Sequence, residues 1–408
     1  MRRRLPEMGV RPALYYPWVY LRGGAERTLV ELMSRSRHDW TLYTNRYDPD
    51  STFPEFRSLN VVALSAVSLQ RTIGAVGKAA LTLLTQRLDL SGHDSLMVVS
   101  EGLGNLVALR STIPTSCICL TPLKVAYDPV TRDRFYDGRW RPHYRLAIRC
   151  YCQMEAPAWK RYHRVLCNSE EVRRRVMACG LVDESRLEVV HHGVDLDRFQ
   201  PGNARDPYFL VPGRIMWQKN IDLALQAWRL FKPAFSDNSF RLVIAGTVDR
   251  KSQSYLQHLR DASWDRPDIE FVESPNDQAL CDLYQRSTGV VFTAPNEDWG
   301  LVPLEAMACG KPVLAARRGG PTESIIHGET GYLVDDTPAE FARAIGVMAG
   351  LDTQALDEFS IRARARAGHF SWSRFVSRVD EHVEELAAAN ALAPSAAGEV
   401  AVGRPSVY

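Results

Sequence analysis

Two glutamates, Glu297 and Glu305, lie in a segment whose residue types suit the binding of a phosphorylated sugar. The segment, Val291–Ala316, reads VFTAPNEDWGLVPLEAMACGKPVLAA. A carboxylate accepts two hydroxyl hydrogen bonds well, as the vicinal diol of a sugar requires. A helix is predicted to begin around Leu301–Pro303, and the free N–H groups of a helix start favour anions. We therefore expect Gly300 and the two glutamates at one crevice edge.

Positive charge for a diphosphate comes from an earlier segment of the chain. Gly213 and Arg214 follow a predicted strand, and Lys219 precedes a predicted helix. Arginine supplies a planar fork of donors and lysine a point charge, and both suit phosphate oxygens. Near the start of the chain, Gly23 and Gly24 let the backbone approach a phosphate closely. Taken alone, the glycines would indicate only a turn and the cations only a solvated surface.

The elements that must hold these residues alternate between short apolar runs and helical patterns. This alternation predicts parallel sheets with crossover helices, whose ligands bind at the carboxyl ends of the strands. The predicted strands are Ala13–Tyr16, Trp40–Thr44, Asn60–Leu64, Leu96–Ser100, Ser116–Leu120, Val165–Asn168, Leu187–His191, Tyr208–Pro212, Phe240–Ala245, Ile269–Val272, Gly289–Thr293, Pro312–Ala315 and Gly331–Val334. The predicted helices include Arg27–Arg35, Ala75–Leu88, Ile221–Phe231, Ser254–Ala262, Asp277–Arg286, Pro303–Ala308 and Pro338–Ala349.

The chain length predicts two domains, because 408 residues are too many for one ordinary core. Phe199–Pro207 contains Pro, Gly, Asn and Asp with little apolar character and is the predicted linker. We expect an N-terminal Rossmann-like domain over residues 1–200 and a C-terminal one over 201–370. Residues 371–388 predict an amphipathic helix that packs back on the N-terminal domain. Residues 389–408, rich in Ala, Pro, Gly and Ser, predict a disordered tail.

The composition is that of a soluble globular protein, with 45% apolar and 24% charged residues. No apolar stretch reaches the roughly 18 residues of a spanning helix. The basic cluster Arg2–Arg4 has no apolar core behind it, so we do not expect it to be a signal peptide. We therefore expect a cytoplasmic protein. Its eight cysteines are thinly spread, so we expect most of them to be small buried side chains rather than disulfides or zinc ligands.

The complete string of Val291–Ala316 resembles the donor-site signature of glycosyltransferase family 4, which comprises retaining enzymes of the GT-B fold. The resemblance rests on two glutamates with Gly-Leu-x-Pro-Leu between them and Ala-Met-Ala-x-Gly-x-Pro-Val after them. Further segments match in the expected order and extend the resemblance over almost the whole chain. They are Gly23-Gly24-Ala25-Glu26, Asn168-Ser169 followed by Glu170-Glu171-Val172, Gly193-Val194-Asp195 with Phe199, Val211-Pro212-Gly213-Arg214 with Lys219, and Gly319-Gly320-Pro321-Thr322-Glu323.

The resemblance implies a fold, an activity and a set of site residues. The fold is GT-B, two Rossmann-like doubly wound parallel-sheet domains facing a central cleft. The activity is transfer of a hexose from a sugar nucleotide with retention of configuration, Glu297 contacting sugar hydroxyls and Glu305 the ribose. The implied catalytic residues are Arg214, Lys219 and Glu297. The implied donor-binding residues are Gly23, Gly24, Gly213, Arg214, Lys219, Glu297, Gly300, Leu301, Val302 and Glu305.

No metal ion and no cofactor are expected. Metal-dependent sugar transferases use Mg²⁺ or Mn²⁺ held by an Asp-x-Asp pair. The chain contains two such strings, but Asp195-Leu196-Asp197 falls in the linker-entry motif and Asp48-Pro49-Asp50 near a turn. Arg214, Lys219 and backbone N–H groups can instead stabilise the leaving diphosphate by preorganised electrostatics. The retention of configuration that the resemblance implies suits a front-face mechanism. In that mechanism the leaving phosphate itself can accept the proton of the acceptor.

One departure from the family pattern concerns the acceptor side of the cleft. Many relatives carry a histidine in the segment CHTPLR, whereas this chain reads Cys119-Leu120-Thr121-Pro122-Leu123-Lys124. Leucine neither donates nor accepts a hydrogen bond, so either the enzyme does without that contact or another group supplies it. The predicted acceptor-side residues are Leu120, Lys124 and Tyr127. His191 and His192 are candidate substitutes, although polar linker residues are the simpler interpretation. The departure keeps an inactive or altered enzyme as an alternative interpretation.

Charge is distributed unevenly along the chain. Residues 1–205 carry 30 Lys+Arg against 21 Asp+Glu, and Thr131–Arg175 alone carries 12 against 5. Aromatic residues interleave there, namely Phe135, Tyr136, Trp140, Tyr144, Tyr151, Trp159 and Tyr162. This spacing suits an anionic membrane surface at the inner face or a lipid-phosphate acceptor. A solvated helical face is an equal alternative, and no nucleic-acid module accompanies the segment.

The strings VPLEAMACGKPVLA, GGPTESI and TPLK…YDP look most like the mannosyltransferase branch of the family. That resemblance makes GDP-mannose the first donor to test and a glycan or polyprenyl-lipid-linked molecule the acceptor. A GT-B epimerase or phosphorylase and a non-catalytic sugar-nucleotide-binding scaffold remain alternatives. A nicotinamide-dependent oxidoreductase would need Gly-x-Gly-x-x-Gly after a strand. Gly102-Leu103-Gly104 provides only part of it, because Val107 stands at the third glycine position.

Overall fold

The computed structural model of the chain describes residues 9–68, 70, 72–128, 131–132, 142–234 and 239–392. Its strands are β1 (Pro12–Tyr15), β2 (Trp18–Val19), β3 (Thr41–Thr44), β4 (Arg46–Tyr47), β5 (Val61–Ala63), β6 (Ser95–Ser100), β7 (Thr115–Cys119), β8 (Tyr162–Cys167), β9 (Leu187–Val189), β10 (Tyr208–Pro212), β11 (Arg241–Gly246), β12 (Ile269–Glu273), β13 (Gly289–Phe292), β14 (Val313–Ala316) and β15 (Gly331–Val334). Its α-helices are α1 (Gly24–Arg35), α2 (Ile73–Thr85), α3 (Lys124–Tyr127), α4 (Pro142–Trp159), α5 (Glu170–Ala178), α6 (Ile221–Ala234), α7 (Gln253–Ala262), α8 (Asp277–Arg286), α9 (Leu301–Ala308), α10 (Pro321–Ser324), α11 (Pro338–Ala349), α12 (Thr353–Ala367) and α13 (Trp372–Leu392).

Two separate parallel sheets form the centres of two domains. The N-domain sheet has the order β5-β3-β1-β6-β7-β8-β9, and the C-domain sheet has the order β12-β11-β10-β13-β14-β15. Every neighbouring pair is parallel. Central strands such as β6, β7 and β10 are buried along their whole length. Continuous burial is typical of sheets covered by helices on both faces.

The strand order reverses at one point in each sheet, and the candidate residues follow the strands at those points. In the N-domain the reversal lies between β1 and β6, and Gly23 and Gly24 follow β1. In the C-domain it lies between β10 and β13; Arg214 and Lys219 follow β10, and Glu297 follows β13. Ligands of open parallel sheets bind at such reversals. The topology thus places both groups of residues at ligand-binding edges.

Some elements were missing from the sequence prediction because they leave little pattern. The strands β2 and β4 have two residues each and pair only with one another. Helix α12 buries Phe359, Ala363 and Ala367, so two of its three core contacts are alanines with little apolar signal. The Gly102-Leu103-Gly104 string leads into a 3₁₀ helix, Leu103–Arg110, rather than an α-helix start. That geometry removes the dinucleotide-binding interpretation of the string.

The last helix, α13, crosses from the C-domain to the N-domain. Its buried face packs with residues of β1, β3 and α1, and the face consists of Trp372, Phe375, Val376, Val379, Val383 and Leu386. The helix continues to Leu392, four residues beyond the predicted end. Alanines at 387–389 favour this extension, since alanine has the highest helix propensity. The rest of the predicted tail lies outside the described residues.

An ion-pair cluster fixes α13 to the edge of the N-domain sheet. Glu188 of β9 accepts from Arg378 Nε at 2.5 Å and Nη2 at 2.9 Å, and from Arg164 Nη1 at 2.7 Å. Burial favours the neutral acid, but the two arginines outweigh it and lower the pKa of Glu188 below its ordinary 4.5. The carboxylate is therefore ionised whenever the protein is near neutral pH.

Replacing Glu188 by glutamine is expected to lower the free energy of unfolding by about 1–3 kcal/mol at neutral pH. Because the folded-state pKa is depressed, the wild-type advantage is full above 4.5 and disappears as pH falls through the folded-state pKa. Urea unfolding of both proteins at several pH values measures it. Glu381→Gln is the control, because Glu381 lies 3.5 Å from Arg378 and is exposed. A pH-independent difference would contradict the ion-pair explanation.

Candidate active site

The loop between β13 and α9 carries Glu297 and starts the helix that follows it. Gly300 has φ +94°, a left-handed conformation that favours glycine, and it directly precedes α9. Pro303 lies in the first turn, where its missing N–H would have no helical partner. Leu304 and Met307 anchor the helix in the core. The N–H groups at the start of α9 are therefore held rigidly beside Glu297.

Lys219 and Glu297 form an ion pair at the carboxyl ends of β10 and β13. The ammonium nitrogen lies 2.7 Å from Glu297 Oε2, and Thr293 Oγ1 donates to the Lys219 carbonyl at 2.8 Å. Burial acts to raise the pKa of Glu297, but the charges of Lys219, Lys124 and Arg214 outweigh it and lower the pKa. Glu297 is thus an ionised carboxylate with a cation fixed against it.

Arg214 also follows β10, and its guanidinium has no partner among the described residues. It follows Gly213, whose φ is +128°, and its side chain is exposed. Within the described part of the chain it makes no hydrogen bond or ion pair, yet its charge acts to lower the pKa of both Glu297 and Glu26, although burial outweighs it at Glu26. Because Glu26 belongs to the N-domain and Glu297 to the C-domain, Arg214 lies between the two domains with its donors available to an anion.

Glu305 lies in the second turn of α9 and accepts a hydrogen bond from a tyrosine. Tyr284 Oη donates to Glu305 Oε2 at 2.7 Å. Burial raises the pKa of Glu305, against the effects of Tyr284, Arg198 and Arg27. Arg27 comes from α1 of the N-domain, which therefore approaches this carboxyl group. Val302, between the two glutamates, is half-buried against the C-domain core.

Of the two N-domain glycines, Gly24 lies beside the C-domain, and only Gly23 is too close to its neighbours for a side chain. A Cβ on Gly24 would lie 3.7 Å from Leu301 Cδ1, which shows how closely the starts of α1 and α9 approach across the cleft. A Cβ on Gly23 would lie 2.7 Å from Glu26 Oε2. Glu26 itself is 2% exposed, and burial raises its pKa to about 8. A largely protonated carboxyl group therefore closes the N-domain side of the crevice.

The three acceptor-side residues have different surroundings. Leu120 is half-buried, and its N–H donates to the Ser100 carbonyl at 3.0 Å. The Lys124 ammonium lies 2.8 Å from Asp298 Oδ2, so it faces the loop that carries Glu297. Tyr127 Oη donates to the buried Glu155 at 3.0 Å. Of the three, only Lys124 directly contacts the Glu297 loop.

The two candidate histidines are both engaged between the domains. His191 Nε2 lies 2.9 Å from Glu323 Oε2, and its ring centre lies 4.5 Å from that of Trp299. His192 is 4% exposed, and burial lowers its pKa to about 3, so the ring is neutral. Its Nδ1 lies 3.2 Å from Thr28 Oγ1. A residue so enclosed cannot substitute for a histidine that contacts a sugar.

The two Asp-x-Asp strings stabilise local backbone. Asp48 accepts from the Ser51 hydroxyl at 3.0 Å, and Asp195 accepts from the backbone N–H groups of Asp197 at 3.0 Å and Arg198 at 3.1 Å. Asp195 also pairs with Arg35 at 3.5 Å. Across the described ranges, no three His, Cys, Asp or Glu side chains are grouped as metal ligands would be.

The basic and aromatic segment divides between core and surface. Tyr151, Trp159 and Tyr162 are buried in the N-domain core, so neither the membrane surface nor the solvated helical face describes these three. The remaining surface of α4 includes Leu146, which is 63% exposed. Phe135, Tyr136 and Trp140 lie outside the described residues. None of the described helices has the length and apolar character required to cross a bilayer.

Sequence reasoning missed the residues that join the domains at this site. Asp298 directly follows Glu297 and pairs with Lys124 and Arg175. Glu323 accepts from the N–H groups of Glu170 at 2.9 Å and Glu171 at 3.0 Å and so caps α5 across the domain boundary. Asp298 and Glu323 both lie within segments that resemble the family pattern, but their partners are more than 100 positions away in the sequence. No local pattern could have identified these contacts.

Comparisons with known proteins agree with this architecture. A model of the glycosyl transferases group 1 family matches residues 194–354, and a model of glycosyltransferase family 4 matches residues 22–198. The alpha-1,3/1,6-mannosyltransferase alg-2 of Neurospora crassa is 26% identical over 89% of this chain and 88% of its own. The D-inositol 3-phosphate glycosyltransferase of Mycobacterium avium is 31% identical over 51% of each chain. The match thus spans about half the length of that relative.

Solved structures share the fold over nearly the whole chain. Anabaena HepE, solved in complex with UDP and glucose, has a TM-score of 0.71 at 17% identity and covers 92% of this chain and 99% of its own. Sucrose-phosphate synthase from Thermosynechococcus elongatus has a TM-score of 0.74 at 18% identity, with 93% and 100% covered. The expectation of two Rossmann-like domains in the GT-B arrangement is confirmed. With two family models that together extend from residue 22 to residue 354, the chain belongs to glycosyltransferase family 4.

Proposed function

We propose that this protein is a retaining glycosyltransferase that moves a hexose from a sugar nucleotide to a glycan or lipid-linked acceptor without a metal ion. The observation that carries the proposal is the Lys219–Glu297 pair at 2.7 Å, beside which Arg214 is exposed and has no partner among the residues that the structure describes. Two cations and the start of α9 converge there at the carboxyl ends of parallel strands. Such a site suits a diphosphate that carries a sugar.

Each group has a defined task in this reaction. Arg214, Lys219 and the N–H groups of α9 stabilise the charge that develops on the leaving diphosphate. Glu297 is ionised and accepts sugar hydroxyls, while Glu305 binds the ribose. The bond from the anomeric carbon to the phosphate oxygen breaks, and the acceptor oxygen bonds to the same face of that carbon. The released phosphate oxygen takes the acceptor's proton, so no separate general base is needed.

We propose mannose from GDP-mannose as the donor, supported by the motif strings and by the similarity to the Neurospora crassa mannosyltransferase. Uridine nucleotides are the competing class, since HepE was solved with UDP and glucose. A thermal-unfolding panel of GDP-mannose, GDP, UDP-glucose and UDP tests the choice, because a ligand that binds only the folded state raises Tm. We expect the largest shift with GDP-mannose. A shift with the uridine compounds alone would reject it.

Turnover and metal dependence need separate measurements. Incubation with labelled sugar nucleotide and acceptor distinguishes a transferred sugar from an epimerised or phosphorylated one. Binding without any product would identify a scaffold.

We expect full activity in excess EDTA, because the cations of the site are side chains. Activity lost in EDTA and restored by Mg²⁺ or Mn²⁺ would contradict metal independence.

For location we propose the cytoplasm, with the N-domain at the inner membrane face. The support is the exposed surface of α4, where Leu146 stands beside exposed Arg145 and Arg149. Sedimentation with phosphatidylglycerol-containing vesicles and with pure phosphatidylcholine vesicles tests it. We expect binding only to the anionic vesicles and weaker binding for Arg149→Glu. No binding at low salt would reject the membrane proposal.

A further inference from the structure

The loop that carries Glu297 is gripped from both sides by the N-domain. Lys124 Nζ lies 2.8 Å from Asp298 Oδ2 and donates to the Asn296 carbonyl at 2.9 Å. Arg175 donates to the side-chain oxygens of both Asp298 and Asn296. The two loop residues that flank Glu297 are therefore bound by two cations from the other domain.

Two further contacts complete this set. Asn296 Nδ2 donates to Asp128 Oδ2 at 2.7 Å, and Ser169 Oγ donates to the Asp298 carbonyl at 2.5 Å. Ser169 also accepts from the Val172 N–H at 3.0 Å, so it caps α5 and binds the loop at once. We call Lys124, Asp128, Ser169 and Arg175, together with Asn296 and Asp298, the loop clamp.

Glu297 is thus held by different domains at its backbone and at its side chain. The loop clamp fixes the backbone on both sides of it, whereas its carboxylate pairs with Lys219 of the C-domain. Lys124 also acts on the carboxylate directly, because its charge helps to lower the pKa of Glu297. Separation of the domains would remove Lys124 and Arg175 from the loop and leave Lys219 in place.

The composition of the loop clamp argues for a role in function rather than folding. Its side chains are partly shielded, with Arg175 16% and Asp298 21% exposed. Partly buried ion pairs lose much of their attraction to desolvation and are weak evidence for stability. Polar interfaces between domains are typical of domains that move relative to one another. A polar contact of this kind suits an arrangement that forms only when the two domains close.

We propose that Asp298 is a positioning residue that, through Lys124 and Arg175, orients Glu297 toward the sugar when the two domains close. The inference rests on the proposed function, in which Glu297 binds the transferred sugar. It assigns to the N-domain a part in arranging the donor site. It also explains why the acceptor-side Lys124 faces the donor loop.

Asp298→Asn keeps the size of the side chain and removes its charge. We expect it to lower kcat by about 10–100-fold, because a small misplacement of a binding group costs rate. We expect the donor KM to change less than about threefold, since Arg214 and Lys219 remain. The fraction of donor that is hydrolysed by water, instead of being transferred to the acceptor, is expected to rise. Asp265→Asn, which breaks an exposed pair with Arg229, is the matched control.

A double-mutant cycle separates positioning from a general structural effect. Because Asp298 and Arg175 act as a unit, Asp298→Asn combined with Arg175→Gln is expected to be no slower than the slower single variant. Losses that multiply in the double variant would overturn the proposal. A wild-type kcat for Asp298→Asn would overturn it as well.

Hydrogen exchange provides a readout that does not depend on turnover. In Asp298→Asn we expect faster amide exchange in residues 295–300 and also in residues 169–175, whereas Asp265→Asn leaves both unchanged. If the wild-type protein turned over no sugar nucleotide, the proposed function would fail, and the exchange result would still decide whether Asp298 couples the domains. Unchanged exchange in Asp298→Asn would overturn the coupling.

Discussion

Replacing Lys219 by alanine is expected to lower kcat by about 10²–10³-fold, the effect of removing one preorganised donor to a developing negative charge. Its ammonium lies 2.7 Å from Glu297 Oε2 and 5.4 Å from the centre of the Phe292 ring, so it is positioned before a donor binds. Alanine also leaves Glu297 without the strongest of the charges that lower its pKa. The variant therefore loses both a phosphate contact and support for the neighbouring carboxylate.

The pH profile gives the second signature of this change. If activity requires ionised Glu297, it falls as pH drops through the pKa of that residue. Removal of Lys219 raises the pKa, so the acidic limb of the kcat profile moves to higher pH. Lys219→Arg keeps the charge and is expected to retain more activity with a smaller shift of the limb. An alanine variant with wild-type kcat and an unmoved limb would exclude Lys219 from the mechanism.

Replacing Arg214 by alanine is expected to lower kcat/KM by about 10²-fold or more, with no loss of stability. Arg214 is exposed and makes no ion pair or hydrogen bond to any other residue that the structure describes. Its removal therefore leaves no partner unsatisfied. Steady-state kinetics and thermal unfolding of the same preparation measure both parts. Lost activity with an unchanged Tm would show that Arg214 acts on the reaction and not on the stability of the fold.

Two comparisons test the Arg214 assignment. Arg214→Lys is expected to recover only part of the activity, because a point charge does not reproduce the bidentate fork. Arg343→Ala is the control, since Arg343 is exposed on α11 and pairs with Glu340 one turn away. A lower Tm for Arg214→Ala would show a structural role, and unchanged kinetics would remove Arg214 from the diphosphate site.

Much of the fold could be predicted because its strands carry their signal locally. Segments such as Leu210–Val211 and Val98–Val99 are apolar runs that parallel sheets bury on both faces. The start of α9 could equally be predicted, since Pro303 has a strong preference for the first helical turn. Lys219 and Glu297 were each identified from their own motifs. The ion pair between them is a tertiary contact that neither motif reveals on its own.

What could not be predicted depends on contacts between distant segments. Asp298 resembles an ordinary loop acid until Lys124 and Arg175 are placed against it. Tyr151 and Trp159 counted as surface aromatics in the sequence, because a basic helix with interleaved rings has the same composition whether its rings face water or the core. His192 resembled a polar linker residue, whereas it is 4% exposed beneath α13.

The return of α13 to the N-domain has a consequence for synthesis on the ribosome. Phe375 and Val379 complete a core that begins with Leu14, so the N-domain cannot finish folding until α13 has been translated. At about 5–20 residues per second, the apolar surface of the nascent N-domain stays uncovered for tens of seconds until α13 emerges. A premature stop before residue 372 would leave this surface uncovered and make the product a substrate for chaperones and proteases.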